Sequence, residues 1–203
     1  MNSTRIRRGG FSGAVAVLAM VLATGSVAAS TIKFGANLTS TTFPSNAYPG
    51  TYCDHEINGT NNTYSCTWIL NQAYNGGAVA APHAGSVSKV KIINGQAGSF
   101  KLVIARKNAS GQFKVLRKSY KIYYSTDPCD IDCTIHTYTV SPSLLVSLGD
   151  YVGIQTNKTS TLRCDSGGSR TALFTPTLAA GGSYTTPTDY SGCFLLIQPV
   201  ITY

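Results

Sequence analysis

Histidines are the first residues to consider for catalysis, and this sequence has three: His55, His83 and His136. A serine or cysteine nucleophile needs a histidine and a carboxylate beside it in the folded chain. The sequence contains no Gly-x-Ser-x-Gly elbow, the motif that presents such a serine. His83 lies in a Pro-His-Ala-Gly turn, and His55 lies in a loop beside Cys53 and Glu56. Neither setting favours a hydrolytic triad.

Carboxylates are the second possible source of chemistry, because a glycosidase places two of them around one sugar. The sequence has eight acidic residues. They are Asp54, Glu56, Asp127, Asp130, Asp132, Asp150, Asp165 and Asp189. Only one of them is a glutamate, so the chain has few candidates for an acid catalyst. Asp150 follows a Leu-Gly pair before a strand, a position where aspartate is typical of a turn. We therefore predict that the chain is not an enzyme.

A short acidic stretch raises the question of a metal. Asp127, Asp130 and Asp132 lie within seven residues of one another. Alternate oxygens in a constrained loop can bind calcium, but this stretch lacks the glycine and the terminal glutamate of an EF-hand. A solvated turn is the favoured interpretation, with a weak calcium site as the alternative. We expect no cofactor.

The first 29 residues have the pattern of a secretory signal peptide. Arg5, Arg7 and Arg8 form a positive start, and an uncharged, mostly apolar run covers residues 11–24. Val27-Ala28-Ala29 then supplies the small residues that signal peptidase recognises. The pattern predicts a signal peptide over residues 1–29 and one domain over residues 30–203. We expect a secreted, extracellular protein with no membrane span in its mature form, because the apolar run is short for a bilayer.

Six cysteines in an exported chain predict disulfides. Sequence cannot choose among the possible pairings, but the entropy of chain closure favours near neighbours. We predict the pairs Cys53–Cys66, Cys129–Cys133 and Cys164–Cys193. The alternative is a zinc site on Cys129, Cys133 and His136, which an exported chain disfavours. Trp68, beside Cys66, is expected to shield a disulfide.

Charge is distributed unevenly along the chain. The net charge is +8, and the three leader arginines reduce it to +5 for residues 30–203. No acidic residue occurs between Glu56 and Asp127, and nine basic residues lie in that gap. They are Lys89, Lys91, Lys101, Arg106, Lys107, Lys114, Arg117, Lys118 and Lys121. We expect them on three neighbouring strands, where they would attract a polyanion. The alternative is a solubilising face that protects sheet edges.

The candidate polyanion-binding residues are six of the lysines in this basic segment. They are Lys89, Lys91, Lys101, Lys107, Lys114 and Lys118. Surface tyrosines are a further candidate, because sugar rings stack on aromatic faces. Most of the 12 tyrosines are nevertheless expected to pack within strands, where aromatic residues are favoured.

Short β-branched and aromatic runs, separated by Gly, Pro, Asn and Ser, dominate the chain. They predict strands at 31–34, 67–70, 86–93, 99–107, 113–124, 135–140, 151–155, 172–174 and 194–201. On the third of these strands, Val90 and Ile92 should face the core, with Lys89 and Lys91 facing solvent. Pro199 indicates an edge or a bulge near the end of the last strand. This pattern predicts a single antiparallel β-sandwich of jelly-roll type.

Six segments of the chain read TIKFGANLT, AAPHAGSVSKVKI, GSFKLVIARK, VSLGDYVGIQ, LFTPTLAAGG and LLIQPVI. In this order they resemble a group of secreted actinobacterial proteins of unassigned function. The resemblance implies a β-sandwich scaffold and transfers no catalytic residue. The sequence departs from the group at Ile104-Ala105-Arg106 and in the additional Cys129–Cys133 loop.

These observations favour a secreted, non-catalytic module that binds a glycan or an anionic cell-envelope polymer. One alternative is a surface domain that has a structural or protein-interaction role and no small ligand. A second is a hydrolase whose active site forms only in the tertiary structure.

Overall fold

The structure, a computed structural model, describes residues 29–38, 48–49, 65–94, 97–126, 133–156 and 163–203. Residues 1–28 of the predicted signal peptide lie outside this range, as do Asp127, Asp130 and Asp132 of the calcium alternative. Among the described residues, no helix is long and apolar enough to span a bilayer.

The described residues form eleven strands and one short 3-10 turn. The strands are β1 (Thr31–Lys33), β2 (Tyr48–Pro49), β3 (Cys66–Leu70), β4 (Gly85–Ile92), β5 (Gly98–Lys107), β6 (Phe113–Tyr124), β7 (His136–Val146), β8 (Tyr151–Thr156), β9 (Arg163–Phe174), β10 (Asp189–Leu195) and β11 (Ile197–Thr202). The turn covers Tyr74–Gly76. This inventory confirms the all-β class.

Two antiparallel sheets pack face to face as a sandwich. The small sheet has the strand order β1-β11-β4-β7. The large sheet has the order β10-β9-β3-β8-β5-β6, and β2 pairs with β9. If β2, β9 and β10 are set aside, the remaining eight strands, renumbered in chain order, are arranged 1-8-3-6 and 2-7-4-5. That order is a jelly roll, and the β9–β10 hairpin extends its larger sheet.

The core lies between the two sheets, where both contribute alternate residues. Phe100, Leu102 and Ile104 of β5 face inward, as predicted, and are buried. Val90 and Ile92 of β4 meet them from the small sheet. Lys89 and Lys91 alternate with these two residues on the other side of β4, and Lys89 is exposed. The predicted facing of β4 is therefore confirmed.

Four expectations about the strands need correction. β7 continues through Pro142 to Val146, because it is an edge strand whose outer side needs no backbone donor. β9 begins at Arg163, well before the predicted start at residue 172. The predicted last strand is divided at Leu196, where the chain passes from the large sheet to the small one. In its second half, β11, the register with β4 shifts between Val200 and Ile201, but the extra residue is Ser88 of β4. The predicted edge or bulge in the last strand is therefore wrong, because β11 lies between β1 and β4 and the bulge belongs to its neighbour.

Cys66 and Cys133 are both disulfide-bonded. The Trp68 indole donates a hydrogen bond to the Cys66 sulfur at 2.9 Å, and Trp68 is buried. The expected shielding by Trp68 is thus confirmed. A disulfide sulfur is not a thiolate, so Cys133 cannot serve the zinc alternative.

The predicted pairings themselves remain predictions. Cys53 and Cys129 lie outside the described residues. Cys164 and Cys193 lie on the neighbouring strands β9 and β10, where the register places Leu195 opposite Cys164 and Ser166 opposite Cys193.

The exported protein should carry three disulfides and begin near Ser30. Its intact mass should then be six hydrogens below that of the reduced chain, because each of the three predicted disulfides removes two hydrogens. Of the three predicted pairs, Cys164–Cys193 closes the longest loop. Replacing both of its cysteines by alanine should therefore lower the free energy of unfolding the most, by roughly 3–4 kcal/mol. Six alkylated thiols in the unreduced protein would contradict this prediction.

Candidate functional site

The outer face of the large sheet is partly covered by a loop. This β9–β10 loop comprises residues 175–188. The Leu178 amide donates to the Thr67 hydroxyl at 3.0 Å, and the Gln155 side-chain amide donates to the Leu178 carbonyl at 2.5 Å. Further along, Thr185 exchanges two backbone hydrogen bonds with Phe113 at 2.8 and 3.0 Å. The loop is therefore bound to the sheet at both of these places.

An open cleft of about 370 Å³ remains beside the loop on this face. We call it the lysine cleft. It is lined by Ser65, Ser99, Phe100, Lys101, Lys118, Lys121, Gln155, Thr156 and Thr177. Its volume lies within the range of sites that bind small molecules. Its lining combines three ammonium groups with several hydroxyls and one amide.

A β-bulge brings two of the lysines together. Lys121 lies opposite Lys101, whereas Lys118 lies opposite Val103, so β6 has one extra residue between these pairs. Residues three apart on a regular strand face opposite ways, but the extra residue turns Lys118 and Lys121 to the same face. Ser119 stabilises the bulge, because its hydroxyl accepts from the Leu102 amide at 2.9 Å and donates to the Tyr120 carbonyl at 2.7 Å.

The charge of the lysine cleft is uncompensated within the described part of the chain. Lys101 and Lys121 are direct cross-strand partners, an arrangement of like charges that destabilises a sheet. Lys118 donates to the Gln155 side-chain oxygen at 3.5 Å, and none of the described lining residues carries a carboxylate. β5 lies between β8 and β6, so protection of a sheet edge does not explain Lys101.

An aromatic side chain lies at the rim of the lysine cleft. Tyr123 is two residues from Lys121, is paired with Ser99 and is 71% exposed. Because no bulge separates Tyr123 from Lys121, both side chains project from the same face of β6. An exposed phenol beside ammonium groups offers an apolar ring face and a polar tip to a ligand.

The predicted basic surface is divided between the two sheets. β4 pairs with β11 and β7 in the small sheet, so Lys89 and Lys91 lie on the opposite side of the sandwich from Lys101 and Lys118. The expectation of three neighbouring strands is therefore wrong. The chain between β4 and β5 crosses from one sheet to the other instead of closing a hairpin.

Two further predicted lysines are engaged with aromatic rings. Lys107 donates to the Asn71 side-chain oxygen at 2.9 Å and lies 5.3 Å from the centre of the Phe113 ring. Lys114 lies 4.7 Å from the centre of the Tyr184 ring. Such cation–π contacts contribute modestly to stability. Lys107 and Lys114 both lie outside the lysine cleft.

A second basic cleft, of about 340 Å³, has two residues of the loop in its lining. We call it the arginine cleft. It is lined by Arg106, Lys114, Leu116, Arg117, Ser147, Gly181 and Gly182.

One residue of the arginine cleft belongs to an ion pair. The Arg106 Nε donates to the fully buried Asp150 carboxylate at 2.7 Å, and the Ser147 amide donates to the other carboxylate oxygen at 2.8 Å. The hydrogen bond from Arg106 to Asp150, and then the charge of Asp150, raise the pKa of Arg106 above its ordinary value. The turn role predicted for Asp150 is confirmed.

The described histidines lie far apart along β4. His83 is an exposed turn residue before the start of β4, and its ring stacks on Tyr203 at 3.8 Å. His136 lies opposite Ile92 at the other end of β4. His55 lies outside the described residues. In the described ranges, no three His, Cys, Asp or Glu side chains are grouped as metal ligands.

Several residues of the lysine cleft were not identified from the sequence. Lys121 belongs to the basic segment but not to the six candidates, and Gln155 and Thr177 had no local signal. Gln155 occupies a strand position that reads as ordinary packing, and Thr177 belongs to a loop. The one useful signal was the absence of acidic residues between Glu56 and Asp127.

Comparisons with family models, with curated proteins and with solved structures find no significant match to this chain. The function of the chain is therefore inferred from the geometry and the charge of its basic clefts.

Proposed function

We propose that this chain is a secreted, non-catalytic binding module whose lysine cleft holds an anionic group of a glycan or cell-envelope polymer. The observation that carries the proposal is the convergence of Lys101, Lys118 and Lys121 in one cleft whose lining, within the described ranges, contains no carboxylate. An anion placed there would relieve the repulsion between Lys101 and Lys121. Binding would therefore stabilise the sheet as well as the ligand.

The remaining lining residues favour a ligand that also carries hydroxyl groups. The side chains of Ser99, Thr177 and Gln155 can exchange hydrogen bonds with sugar hydroxyls, because each combines a donor with an acceptor. Tyr123 supplies an exposed ring face at the rim. A simple inorganic anion would use the lysines alone. An acidic sugar would use all of these groups.

The test compares two triple variants of equal charge. The first is Lys101→Gln/Lys118→Gln/Lys121→Gln in the lysine cleft. The second is Lys33→Gln/Lys89→Gln/Lys91→Gln, whose three lysines lie on the small sheet. Affinity for polygalacturonic acid and for a glycerol phosphate teichoic acid is measured by calorimetry between low and high salt. Release of reducing ends from the polygalacturonic acid is followed in parallel.

The cleft variant should lose at least tenfold in affinity. Its salt slope, log K against log salt, should fall by about 2, because three cation contacts disappear. The affinity of the small-sheet variant should change by less than twofold, and no reducing ends should be released. Equal losses in the two variants would show that net charge alone attracts the polymer. Release of reducing ends would overturn the non-catalytic part of the proposal.

A stability measurement separates loss of binding from loss of folding. Lys101→Gln removes a like-charge cross-strand pair, so the unliganded variant should unfold at the same urea concentration as the wild type or slightly higher. A large decrease in stability would mean that Lys101 has a structural role instead.

A further inference from the structure

The arginine cleft lies on the opposite face of β6 from the lysine cleft. Arg117 is paired with Ile104, whose side chain is buried between the two sheets. Lys118, the next residue along β6, is paired with Val103 and lines the lysine cleft. Because successive residues of a strand project to opposite faces, the two basic clefts are separate sites on the two faces of one strand.

A second β-bulge gathers the cations of the arginine cleft. The register of β6 with β5 shifts by one residue at Leu116. Because of this extra residue, Lys114 and Arg117 project from the same face, although they are three positions apart. Lys114 is also the direct cross-strand partner of Arg106. Three cations therefore converge on one cleft.

Each of these cations is held by a contact that occupies only part of its hydrogen-bonding capacity. Arg106 donates from Nε to Asp150, and Arg117 donates from one terminal nitrogen to a backbone carbonyl of β7 at 3.3 Å. The Lys114 ammonium lies 4.7 Å from the centre of the Tyr184 ring. Guanidinium and ammonium groups carry several N–H donors, so further donors remain on each cation for an anion. Side chains that are already held lose less conformational entropy when a ligand binds.

The charge and the shape of the arginine cleft favour a dianion. Three cations against the one carboxylate of Asp150 leave two positive charges. The β9–β10 loop contributes Gly181 and Gly182 to the lining, and a Cβ built at Gly181 would meet no other atom within 4 Å. The cations therefore face open space, and the cleft volume of about 340 Å³ can admit a phosphate group together with part of its ester.

The loop reaches the arginine cleft because it follows the outer edge of β6, the terminal strand of the large sheet. The Gly181 amide donates to the Val115 carbonyl at 2.9 Å, and Thr185 exchanges two backbone hydrogen bonds with Phe113. These bonds hold the glycine wall of the cleft against the strand that carries two of its cations.

We infer that the arginine cleft is a second anion site, which binds the terminal phosphate of a phosphomonoester. Such a group has about two negative charges near neutral pH and three acceptor oxygens, which match the two uncompensated charges and the three cations of the cleft. Each guanidinium can bind two phosphate oxygens at once. A phosphodiester or a carboxylate supplies one charge and leaves the other uncompensated. The site is independent of the proposed function, because its cations and those of the lysine cleft lie on opposite faces of β6.

The experiment is a site-resolved titration of the isotope-labelled exported protein, followed by nuclear magnetic resonance at constant ionic strength. Methyl phosphate is the probe, and dimethyl phosphate and methyl sulfate are its singly charged counterparts. The backbone amides of Ser147, Gly181 and Gly182 report on the arginine cleft. Methyl phosphate should shift these amides along one saturating curve. Both singly charged esters should bind about tenfold more weakly, because a charge-assisted contact is lost.

The variant that tests the cations is Lys114→Gln/Arg117→Gln, with Lys33→Gln/Lys89→Gln on the small sheet as the charge-matched control. The first should lose about tenfold or more in affinity for methyl phosphate, whereas the control should change by less than about twofold, because distant exposed charges are screened. Each single variant of the cleft is titrated as well, so that the result does not depend on the folding of the double variant.

The outcomes separate this site from the lysine cleft. Equal losses in the cleft variant and its control would overturn the site and show that net charge attracts the probe. Equal affinities for methyl phosphate and dimethyl phosphate would overturn the assignment to a phosphomonoester. Shifts confined to Ser99, Gln155 and Thr177 would place the anion in the lysine cleft and overturn the second site, while leaving the proposed function intact.

Discussion

Replacement of Arg106 by leucine should lower the free energy of unfolding by about 3 kcal/mol, because it leaves the buried Asp150 carboxylate without its cation. Asp150 is fully buried, whereas the Arg106 side chain is 42% exposed. The expected loss therefore lies at the low end of the range for breaking a buried ion pair. Urea denaturation of the purified domain measures it.

Two further variants make the Arg106 result specific. Arg117→Leu removes an exposed arginine whose side chain donates to the Leu145 carbonyl at 3.3 Å, and it should change stability by about 0.5 kcal/mol or less. Adding Asp150→Asn to the Arg106 variant should recover part of the loss, because it removes the unpaired buried charge. If Arg106→Leu and Arg117→Leu lose equal stability, the ion pair does not stabilise the turn.

The Arg106–Asp150 pair also connects stability to the arginine cleft. Asp150 accepts from the Ser147 amide, and Ser147 and Arg106 both line the arginine cleft. A buried carboxylate thereby fixes one wall of that cleft while leaving its net charge to Lys114 and Arg117.

Gly153→Ala should be comparably damaging, with an expected loss of about 3 kcal/mol, the upper end of the range for overpacking. A Cβ at this position would collide with the Trp68 carbonyl oxygen and would come within 3.0 Å of the Ile69 Cα. Both are backbone atoms of β3. Because β8 is held between β3 and β5, Gly153 has no free side toward which it could shift. The midpoint of urea unfolding measures the loss.

Gly182→Ala is the matched control for Gly153→Ala. The added Cβ would lie 3.2 Å from the Ala179 carbonyl oxygen in an exposed part of the loop, where the backbone has room to move. Gly182→Ala should lower the free energy of unfolding by less than about 1 kcal/mol. Equal losses in the two variants would contradict the close approach of β8 to β3.

Strand positions were largely predictable, because alternation is a local property of the chain. The predicted bounds of β6, Phe113 to Tyr124, agree with those observed, and β5 differs by one residue. The strands that were too short in the prediction contain exceptions to the pattern. β7 includes Pro142, and β9 includes Gly167 and Gly168, residues that usually end a strand.

The candidate site was only partly predictable, because its residues meet through pairings that have no local signature. The basic segment correctly contained Lys101, Lys118 and Lys121. It could not show that Lys89 and Lys91 belong to the other sheet, since alternation indicates which side of a strand is buried but not which sheet it joins. The bulge at Ser119 is likewise invisible in the sequence, because a serine in a strand has many possible partners.

The sequence alone was sufficient to predict an all-β chain with its inward-facing residues, its basic segment and its cysteines, because these depend on residue type and short-range period. The tertiary structure decided the rest. Hydrogen bonds between distant segments set the register that turns Lys118 and Lys121 to one face and aligns Lys101 with them. Similar bonds place the β9–β10 loop against Thr67, Gln155 and Phe113. These contacts join residues that are 15 to 111 positions apart, so no local pattern encodes the clefts that they form.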